Sequence, residues 1–231
     1  MKFKNIFFGF LKTLLLAVIF CSSLLYADGY MTLDLQNYQP ADNGSPPYFF
    51  EVDSTTGNLI KVVDTGNSFQ FKTYNFRTTV DIESYIEEVE PVLLKWREEI
   101  EPFDEEFHSS SSLSDGMLAD LRYDLRSGPF SGEVHVATYE GRIEAISYVP
   151  NTADEAPEID TIVANPWGMI KGQTTNVKGA GSSLLDYILQ KFKSRGAVKA
   201  RLYSERDQYY LDRGWQREPD PWQEDGACGG E

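Results

Sequence analysis

The sequence predicts a mixed α/β fold of the α+β type, in which a central, mostly antiparallel sheet is flanked by helices. Two alternating segments at 132–139 and 142–149 are joined by a tight hairpin signal. Residues 81–100 and 114–125 place apolar side chains at helical spacing. The segment 157–215 then gives a strand, a glycine turn, a long helix, a strand and a short helix in succession. The hairpin and the helices together indicate this fold class.

Residues 1–27 have the composition of a signal peptide. Lys2 and Lys4 precede an apolar run that ends at Ala27, directly before Asp28. We expect cleavage near Ala27 and export of the chain to the periplasm or the medium. An uncleaved membrane anchor is the alternative, since about 20 apolar residues span a bilayer. In either case, we expect contact with a membrane only through this segment.

Three regions follow the signal segment. Residues 28–67 are rich in Gly, Pro, Asn, Asp and Ser, which predicts an irregular extension with one short strand at 58–64. Residues 68–216 predict a domain with a core of its own. The polar tail at 217–231 is predicted to be flexible, and we expect an edge strand only where the tail begins.

The first half of the domain predicts one strand and a group of helices. Residues 68–76 alternate as a strand. Asp81 caps or opens a helix that Pro91 kinks or divides. Residues 101–112 predict an acidic loop, and Ser114 is the expected N-cap of the next helix.

The chain is acidic, with 36 Asp and Glu against 21 Lys and Arg and a net charge of −15. Such a surface repels nucleic acid and anionic lipid, so neither is an expected partner. It attracts cationic small molecules and basic polypeptide segments, although a high charge also serves solubility alone. The two cysteines, Cys21 and Cys228, and the two histidines, His108 and His135, have no metal-ligand spacing. We therefore predict no metal.

The chain is organised around Val177–Ser183 and the helix that follows to about Arg195. Gly179 and Gly181 lack a Cβ atom, so a ligand can approach their backbone closely. The first turn of a helix carries unpaired N–H groups and a partial positive charge, which makes it a phosphate site. The alternative is that Gly-Ala-Gly forms only a tight turn.

Short elements flank this turn on both sides. Pro157–Ala164 alternates as a strand upstream, and Ala197–Tyr203 is a second short strand downstream. Asp207–Trp215 is predicted to be a short helix that ends at Gly214.

Two motifs in this order resemble those of the GNAT (Gcn5-related) N-acetyltransferase superfamily. Asn176–Gly181 is similar to the family's Arg/Gln-x-x-Gly-x-Gly/Ala turn, and Tyr209–Trp215 is similar to its Phe-Tyr-x-x-x-Gly-Phe segment. The chain departs from the family at Asn176, where Arg or Gln is usual, and in the long run 165–175 between strand and turn. The resemblance spans roughly residues 69–215 and implies a GNAT-like fold that binds acetyl-CoA.

The resemblance implies two sets of cofactor contacts. Backbone N–H groups at the turn, assisted by serine hydroxyls, would hold the pyrophosphate of acetyl-CoA. The residues concerned are Val177, Lys178, Gly179, Ala180, Gly181, Ser182 and Ser183. The pantetheine would pair like an added strand with a strand end that the family splays from its neighbour. Its contacts would be Ile162, Val163, Ala164 and Asn165.

The catalytic groups follow from the same resemblance. Tyr210 matches the tyrosine that the family uses to protonate the departing thiolate; its alternative role is that of a core or rim aromatic. Glu158 and Asp160 lie two residues apart on the preceding strand and therefore share a face. Either is a candidate general base, and otherwise they are exposed or salt-bridged carboxylates.

The expected acceptor is an amine, either a small cationic amine or an amine of a protein or peptide. In the family, the region after the first strand forms part of the acceptor wall. Asp104, Glu105, Glu106 and His108 would meet a cationic acceptor there, unless this segment is an exposed mobile loop.

Two functions stay open. One is an acyl-CoA-dependent N-acetyltransferase, and the other is a non-catalytic, exported binding module with a GNAT-like fold. An exported protein meets little acetyl-CoA outside a cytoplasm. The first function therefore requires delivery into another cell, such as a host cell, or an anchor that keeps the domain cytoplasmic. Lys2 and Lys4 oppose the anchored arrangement, since positive residues tend to stay on the cytoplasmic side.

Overall fold

The structure is a computed structural model. It describes residues 29–40, 46–99, 104–204 and 207–218. The predicted signal segment and most of the predicted tail lie outside these residues. The described chain divides into two compact units, of which the larger comprises 32–202 and the smaller comprises 29–31 with 203–218.

Both strands and helices lie in the described residues. The strands are β1 (Gly29–Asp34), β2 (Tyr48–Val52), β3 (Leu59–Val63), β4 (Gln70–Asn75), β5 (Glu133–Tyr139), β6 (Arg142–Val149), β7 (Glu158–Ile159), β8 (Thr161–Ala164), β9 (Lys199–Ser204) and β10 (Gln216–Arg217). The helices are α1 (Thr79–Glu88), α2 (Glu90–Glu98), α3 (Glu105–Leu125), α4 (Pro166–Met169), α5 (Ala180–Ser194) and α6 (Asp207–Leu211). None of these helices combines the length and the hydrophobicity needed to cross a membrane.

The larger unit contains an antiparallel sheet with the strand order β4-β5-β6-β8. β5 and β6 form the predicted hairpin, and the two residues of its turn, Glu140 and Gly141, have positive φ angles of 49° and 77°. Such angles match the turn that fits the twist of two paired strands. Helices pack on both faces of this sheet, which confirms the predicted α+β class.

One face of the sheet packs against α1, α2 and α3 around an apolar core. The buried residues of this core are Tyr74, Phe76, Tyr85, Val89, Leu93, Trp96, Met117, Leu118, Leu121, Val134, Val136, Ile146, Tyr148 and Val163. α5 packs on the opposite face, where the ring of Tyr187 stacks on Phe71 of β4 with centroids 4.7 Å apart. Pro91 lies in the first turn of α2, so the predicted helix is divided there, as its proline indicates.

α3 begins at Glu105, well before the predicted N-cap at Ser114. The Asp104 carboxylate accepts a hydrogen bond from the N–H of Phe107 at 3.1 Å and caps the helix. The prediction of an acidic loop was therefore wrong over residues 105–112, whereas residues 101–103 lie outside the described part of the chain. Ser110 and Ser114 are small enough to lie on the buried side of the helix, where the Ser114 hydroxyl donates to the Ser110 carbonyl at 2.9 Å.

Residues 28–67, predicted to be irregular, contain three strands. β3 coincides with the predicted strand, whereas β1 and β2 lie outside the prediction. In β1, Met31 and Leu33 are buried and Tyr30 is exposed, so the alternation of a half-buried strand is present but short. β2 and β3 pair in an antiparallel hairpin, whose aromatic and β-branched residues favour strands.

The smaller unit contains α6 and the short strand β10. The N–H of Glu218, directly after β10, donates to the carbonyl of Tyr30 at 2.8 Å. The ring of Tyr30 also meets Tyr203 edge to face, with centroids 5.6 Å apart. The short strand expected at the start of the tail is therefore present.

Candidate functional site

The strand before the glycine turn leaves one sheet and joins another at Asp160. On the N-terminal side of Asp160, β7 pairs in parallel with β9. On its C-terminal side, β8 pairs with β6 and forms the edge of its sheet. The two sheets therefore separate at Asp160, and the outer side of β8 has no strand partner within the described residues. The predicted pantetheine contacts lie in β8 and directly after it, and their role stays a prediction.

The backbone of β8 presents alternate residues to this open side. The N–H of Asn165 donates to the carbonyl of Glu144 at 2.9 Å, so these residues form a hydrogen-bonded pair. Because bonded and non-bonded pairs alternate along an antiparallel ladder, Val163 bonds to β6, while Ile162 and Ala164 direct their amides away from it. Outside the pairing of β6 with β8, Ile162 makes no hydrogen bond to a described residue. An extended ligand therefore has the backbone of Ile162 and the N–H of Ala164 to pair with.

Two buried side chains hold the end of β8. The hydroxyl of Ser110, on α3, donates a hydrogen bond to the carbonyl of Ala164. The Glu144 carboxylate is 3% exposed and accepts a hydrogen bond from Nδ2 of Asn165 at 2.9 Å, and burial raises its pKa. Sequence reasoning missed both residues, because one serine among four consecutive serines carries no signal. Only the alternation along β6 points to an inward position for Glu144.

α5 begins beside the end of β8. Gly179 precedes the helix with a φ of 98°, a left-handed conformation that favours glycine. The N–H groups of Gly179, Ala180 and Gly181 have no hydrogen-bond partner in the part of the chain that the structure describes. We call these three amides the helix mouth. A Cβ atom built on Gly181 would lie 4.0 Å from the Cβ of Ala164, so the helix mouth lies beside the end of β8.

Tyr48 of the β2–β3 hairpin lies on the glycine turn. Its carbonyl accepts a hydrogen bond from the N–H of Lys178 at 2.8 Å, and its N–H donates to the carbonyl of Lys178 at 3.2 Å. A Cβ atom built on Gly179 would lie 3.2 Å from Cε1 of the Tyr48 ring. The N–H of Lys178, one of the predicted pyrophosphate contacts, is therefore already paired, and the tyrosine ring covers Gly179.

The side chain of Lys178 is hydrogen-bonded to the loop before the turn. Its Nζ donates to the carbonyl of Gly168 at 2.5 Å and to that of Ile170 at 3.4 Å. Burial lowers the pKa of this ammonium group. The remaining predicted contacts of the turn differ in exposure: Val177, Ala180 and Ser183 are buried, and Ser182 is partly buried.

The long run between strand and turn folds onto the turn. Asn165 caps α4 by accepting a hydrogen bond from the N–H of Trp167 at 3.2 Å, and Pro166 takes the first helical position, where proline is favoured. Gln173 donates from Nε2 to the carbonyl of Asn176 at 3.0 Å, and its Oε1 accepts from the N–H of Asn176 at 2.7 Å. Asn176, where the chain departs from the family motif, is therefore held by Gln173.

The two candidate general bases lie on either side of the strand break. Glu158, in β7, is 3.5 Å from Nη1 of Arg201, and both side chains are partly exposed. Asp160 is exposed at the break itself, and its Oδ2 accepts a hydrogen bond from the hydroxyl of Thr161 at 2.8 Å. Glu158 therefore lies beside a cationic partner, Arg201, whereas Asp160 lies where the two sheets separate.

Tyr210 lies in α6, in the smaller unit. Its ring meets Trp215 edge to face with centroids 5.6 Å apart, and its carbonyl accepts hydrogen bonds from the N–H groups of Arg213 and Trp215. Gly214 has a φ of 85°. The predicted short helix with a glycine stop is therefore present, and the catalytic role of Tyr210 stays a prediction.

The residues predicted to meet a cationic acceptor form the start of α3. Besides capping the helix, the Asp104 carboxylate accepts a hydrogen bond from the N–H of Lys171 at 3.0 Å, and these backbone bonds lower its pKa. Glu105 and His108 are exposed, and Glu106 is partly buried. Among the described residues, no group of three or more His, Cys, Asp or Glu side chains is arranged to hold a metal ion.

No protein-family model and no curated protein match the chain. Among solved structures, it is similar to a tandem GNAT protein from the clavulanic acid biosynthesis pathway, with 15% identity and a TM-score of 0.43 over 83% of this chain and 50% of that one. It is also similar to a functionally unknown conserved protein from Staphylococcus epidermidis, with 13% identity and a TM-score of 0.38 over 82% of this chain and 58% of that one.

A third similar structure is the C-terminal DUF2156 domain of an Agrobacterium fabrum protein, with 15% identity and a TM-score of 0.34 over 86% of this chain and 51% of that one. The chain thus spans about half the length of the solved chains it matches. Identities and TM-scores this low assign neither a family nor an activity to the chain.

Proposed function

We propose that the chain is an N-acetyltransferase that transfers the acetyl group of acetyl-CoA to an amine. The observation that carries this proposal is the adjacency of the helix mouth and the open side of β8. An extended amide chain pairs with an open strand edge, and a diphosphate suits the amides at a helix start. CoA joins these two chemical groups in one molecule.

Two parts of the cofactor, the pantetheine and the pyrophosphate, have contacts in this proposal. The pantetheine amides pair with Ile162 and Ala164, whose backbone groups face away from β6. The pyrophosphate binds the helix mouth. Val163 contributes by fixing the strand to β6, and Asn165 contributes by capping α4.

The reaction requires a base and an acid. Asp160, at the point where the sheets separate, takes a proton from the amine, directly or through a water molecule. The neutral amine nitrogen then attacks the thioester carbonyl, the C–S bond breaks, and Tyr210 gives its proton to the departing thiolate. The second proton that the nitrogen loses as it becomes an amide passes to the Tyr210 oxygen, which restores the phenol. A phenol with a pKa of about 10 is suited to this because thiols have comparable acidity. Glu158 is the alternative base.

The acceptor and the place of action follow from charge and from the predicted signal segment. A net charge of −15 attracts cations, so we propose a small cationic amine or a basic polypeptide as the acceptor. Because acetyl-CoA is a cytoplasmic metabolite, we propose that an exported chain acts after delivery into the cytoplasm of another cell.

Calorimetric titration of the full-length chain with acetyl-CoA tests this proposal. We expect binding at one site in the micromolar range, with CoA as a competitor. Mass spectrometry should then detect an acetylated product from at least one member of a panel that contains a polyamine, an aminoglycoside and a lysine-rich peptide. The proposal fails if neither the intact chain nor the Tyr48 variant described below binds acetyl-CoA.

A non-catalytic binding module is the second candidate function, and the position of Tyr48 favours it. The paired amide of Lys178 and the covered Gly179 leave less of the turn for a diphosphate. For such a module, no acceptor should be acetylated, and acetyl-CoA should not compete with the true ligand.

A further inference from the structure

The backbone of the β2–β3 hairpin is hydrogen-bonded to the glycine turn at Tyr48 and Lys178. Tyr48 and Lys178 exchange both of their backbone hydrogen bonds, at 2.8 and 3.2 Å, and form an isolated antiparallel bridge. The hairpin therefore pairs with the turn as a strand would at one position, Lys178, two residues before α5 begins.

The ring of Tyr48 takes the space that the glycine leaves open. A Cβ atom on Gly179 would lie 3.2 Å from Cε1 and 3.3 Å from Cδ1 of this ring, and 3.4 Å from the carbonyl of Pro46. Lys61, also in the hairpin, places its Nζ 3.9 Å from the centroid of the same ring. The space that Gly179 leaves for a ligand is thus occupied by the ring of Tyr48.

A bound diphosphate would need the same approach. The amides of the helix mouth follow Lys178 directly, so a phosphate that contacts them lies against the backbone that Tyr48 covers. The ring and the phosphate therefore compete for the surface of Gly179.

We infer that Tyr48 is an autoinhibitory contact, and that the hairpin must release Lys178 and Gly179 before acetyl-CoA binds. This inference rests on the proposed function. The apparent dissociation constant for acetyl-CoA then equals the intrinsic constant divided by the fraction of molecules in which the hairpin is released. Any change that weakens the contact raises that fraction and tightens binding.

The first test is calorimetric titration of Tyr48→Ala with acetyl-CoA. Loss of the ring should lower the dissociation constant about tenfold, which corresponds to about 1.4 kcal/mol. Val52→Ala is the matched control, since Val52 lies in the same strand and is 60% exposed. Weaker binding by Tyr48→Ala would overturn the inference, because Tyr48 would then be part of the wall that holds the cofactor.

The second test locks the contact reversibly. Residues that exchange both backbone bonds have Cα atoms about 5.5 Å apart, a spacing that a disulfide spans. We would introduce Tyr48→Cys with Lys178→Cys into a full-length chain that carries Cys21→Ser and Cys228→Ser. The oxidised form should bind acetyl-CoA at least about tenfold more weakly than the same protein after reduction.

The outcomes separate the inference from the proposed function. Equal binding by the oxidised and reduced forms, with measurable affinity, would overturn the autoinhibitory contact and leave the proposed function standing. Absence of binding by the intact chain, by Tyr48→Ala and by the reduced double-cysteine variant would overturn both.

Discussion

Gly181 and Ala164 lie so close together that a Cβ atom on the glycine would reach 4.0 Å from the Cβ of the alanine. The first residue belongs to the start of α5, and the second ends the edge strand β8. The two residues are 17 positions apart in the sequence, and their contact brings together helix amides and a strand edge that have no partner among the described residues. The proposed binding of CoA depends on it.

Gly181→Trp should therefore abolish the binding of acetyl-CoA. An indole at this position would fill the space beside Ala164 and cover the helix mouth. We expect the dissociation constant to rise by at least about a hundredfold, or about 2.8 kcal/mol. Gly116→Trp is the control, since Gly116 is exposed on α3 and has nothing within 4 Å of its Cβ position. Calorimetry of both variants, each checked for folding by circular dichroism, decides the matter; equal affinities would contradict the assigned phosphate site.

Tyr210→Phe should lower kcat by about 10²- to 10⁴-fold and leave the dissociation constant for acetyl-CoA unchanged, because only proton transfer to the thiolate is lost. Tyr123→Phe is the control, as Tyr123 is 70% exposed on α3. Steady-state kinetics with the best acceptor provide the measurement. Unchanged turnover in Tyr210→Phe would remove this residue from its proposed role.

Asp160→Asn should lower kcat more than Glu158→Gln does. Asp160 lies where the two sheets separate, whereas Glu158 is 3.5 Å from Arg201 in the paired part of the strand. If Asp160 is the base, the asparagine variant loses about 10²- to 10⁴-fold in kcat and the glutamine variant much less. A larger loss in Glu158→Gln would reverse the assignment.

The stability of the chain should fall as the pH is lowered, because of His135. This residue has no exposed surface. Burial lowers its pKa well below the ordinary value, and the charges of Lys191 and Arg195 act in the same direction. Nδ1 is 2.9 Å from the hydroxyl of Thr73, and Nε2 is 3.5 Å from Oε2 of Glu133 without a hydrogen bond.

The unfolded chain takes up a proton on His135 near pH 6.5, and the folded chain does not. Unfolding is therefore favoured as the pH drops below that value, by about 1.4 kcal/mol per pH unit from this residue. Urea unfolding between about pH 7.5 and about pH 5.5 measures the slope. His135→Gln should reduce the slope and His108→Gln, at an exposed position, should keep it. A slope that His135→Gln leaves unchanged would show that other groups control it.

Helices and strands whose apolar residues recur at a regular spacing could be predicted from the sequence. The hairpin around Glu140-Gly141 and the helix after the glycine turn were predicted at close to their observed positions, since turn residues and apolar spacing are local signals. α3 began earlier than predicted, because Ser110 and Ser114 lie on the buried side of the helix, where the sequence rule expects apolar residues.

The contacts that shape the candidate site are long-range and leave no local pattern. Tyr48 and Lys178 meet across the glycine turn although the chain between them contains most of the larger unit. The hydrogen bond from Ser110 to Ala164 likewise joins a helix to the edge of a sheet. Such pairings follow from the tertiary arrangement, so the sequence predicted the amides of the turn but not the residue that covers them.

The most direct measurement of the central claim is the response of the helix-mouth amides to cofactor. With isotope-labelled glycine and alanine, the amide resonances of Gly179, Ala180 and Gly181 should shift on addition of acetyl-CoA, and ADP should reproduce part of that shift because it carries the same diphosphate. The resonance of Gly116 should stay in place. If acetyl-CoA saturates the protein and leaves these three resonances unmoved, the diphosphate does not bind at the start of α5 and the account is wrong.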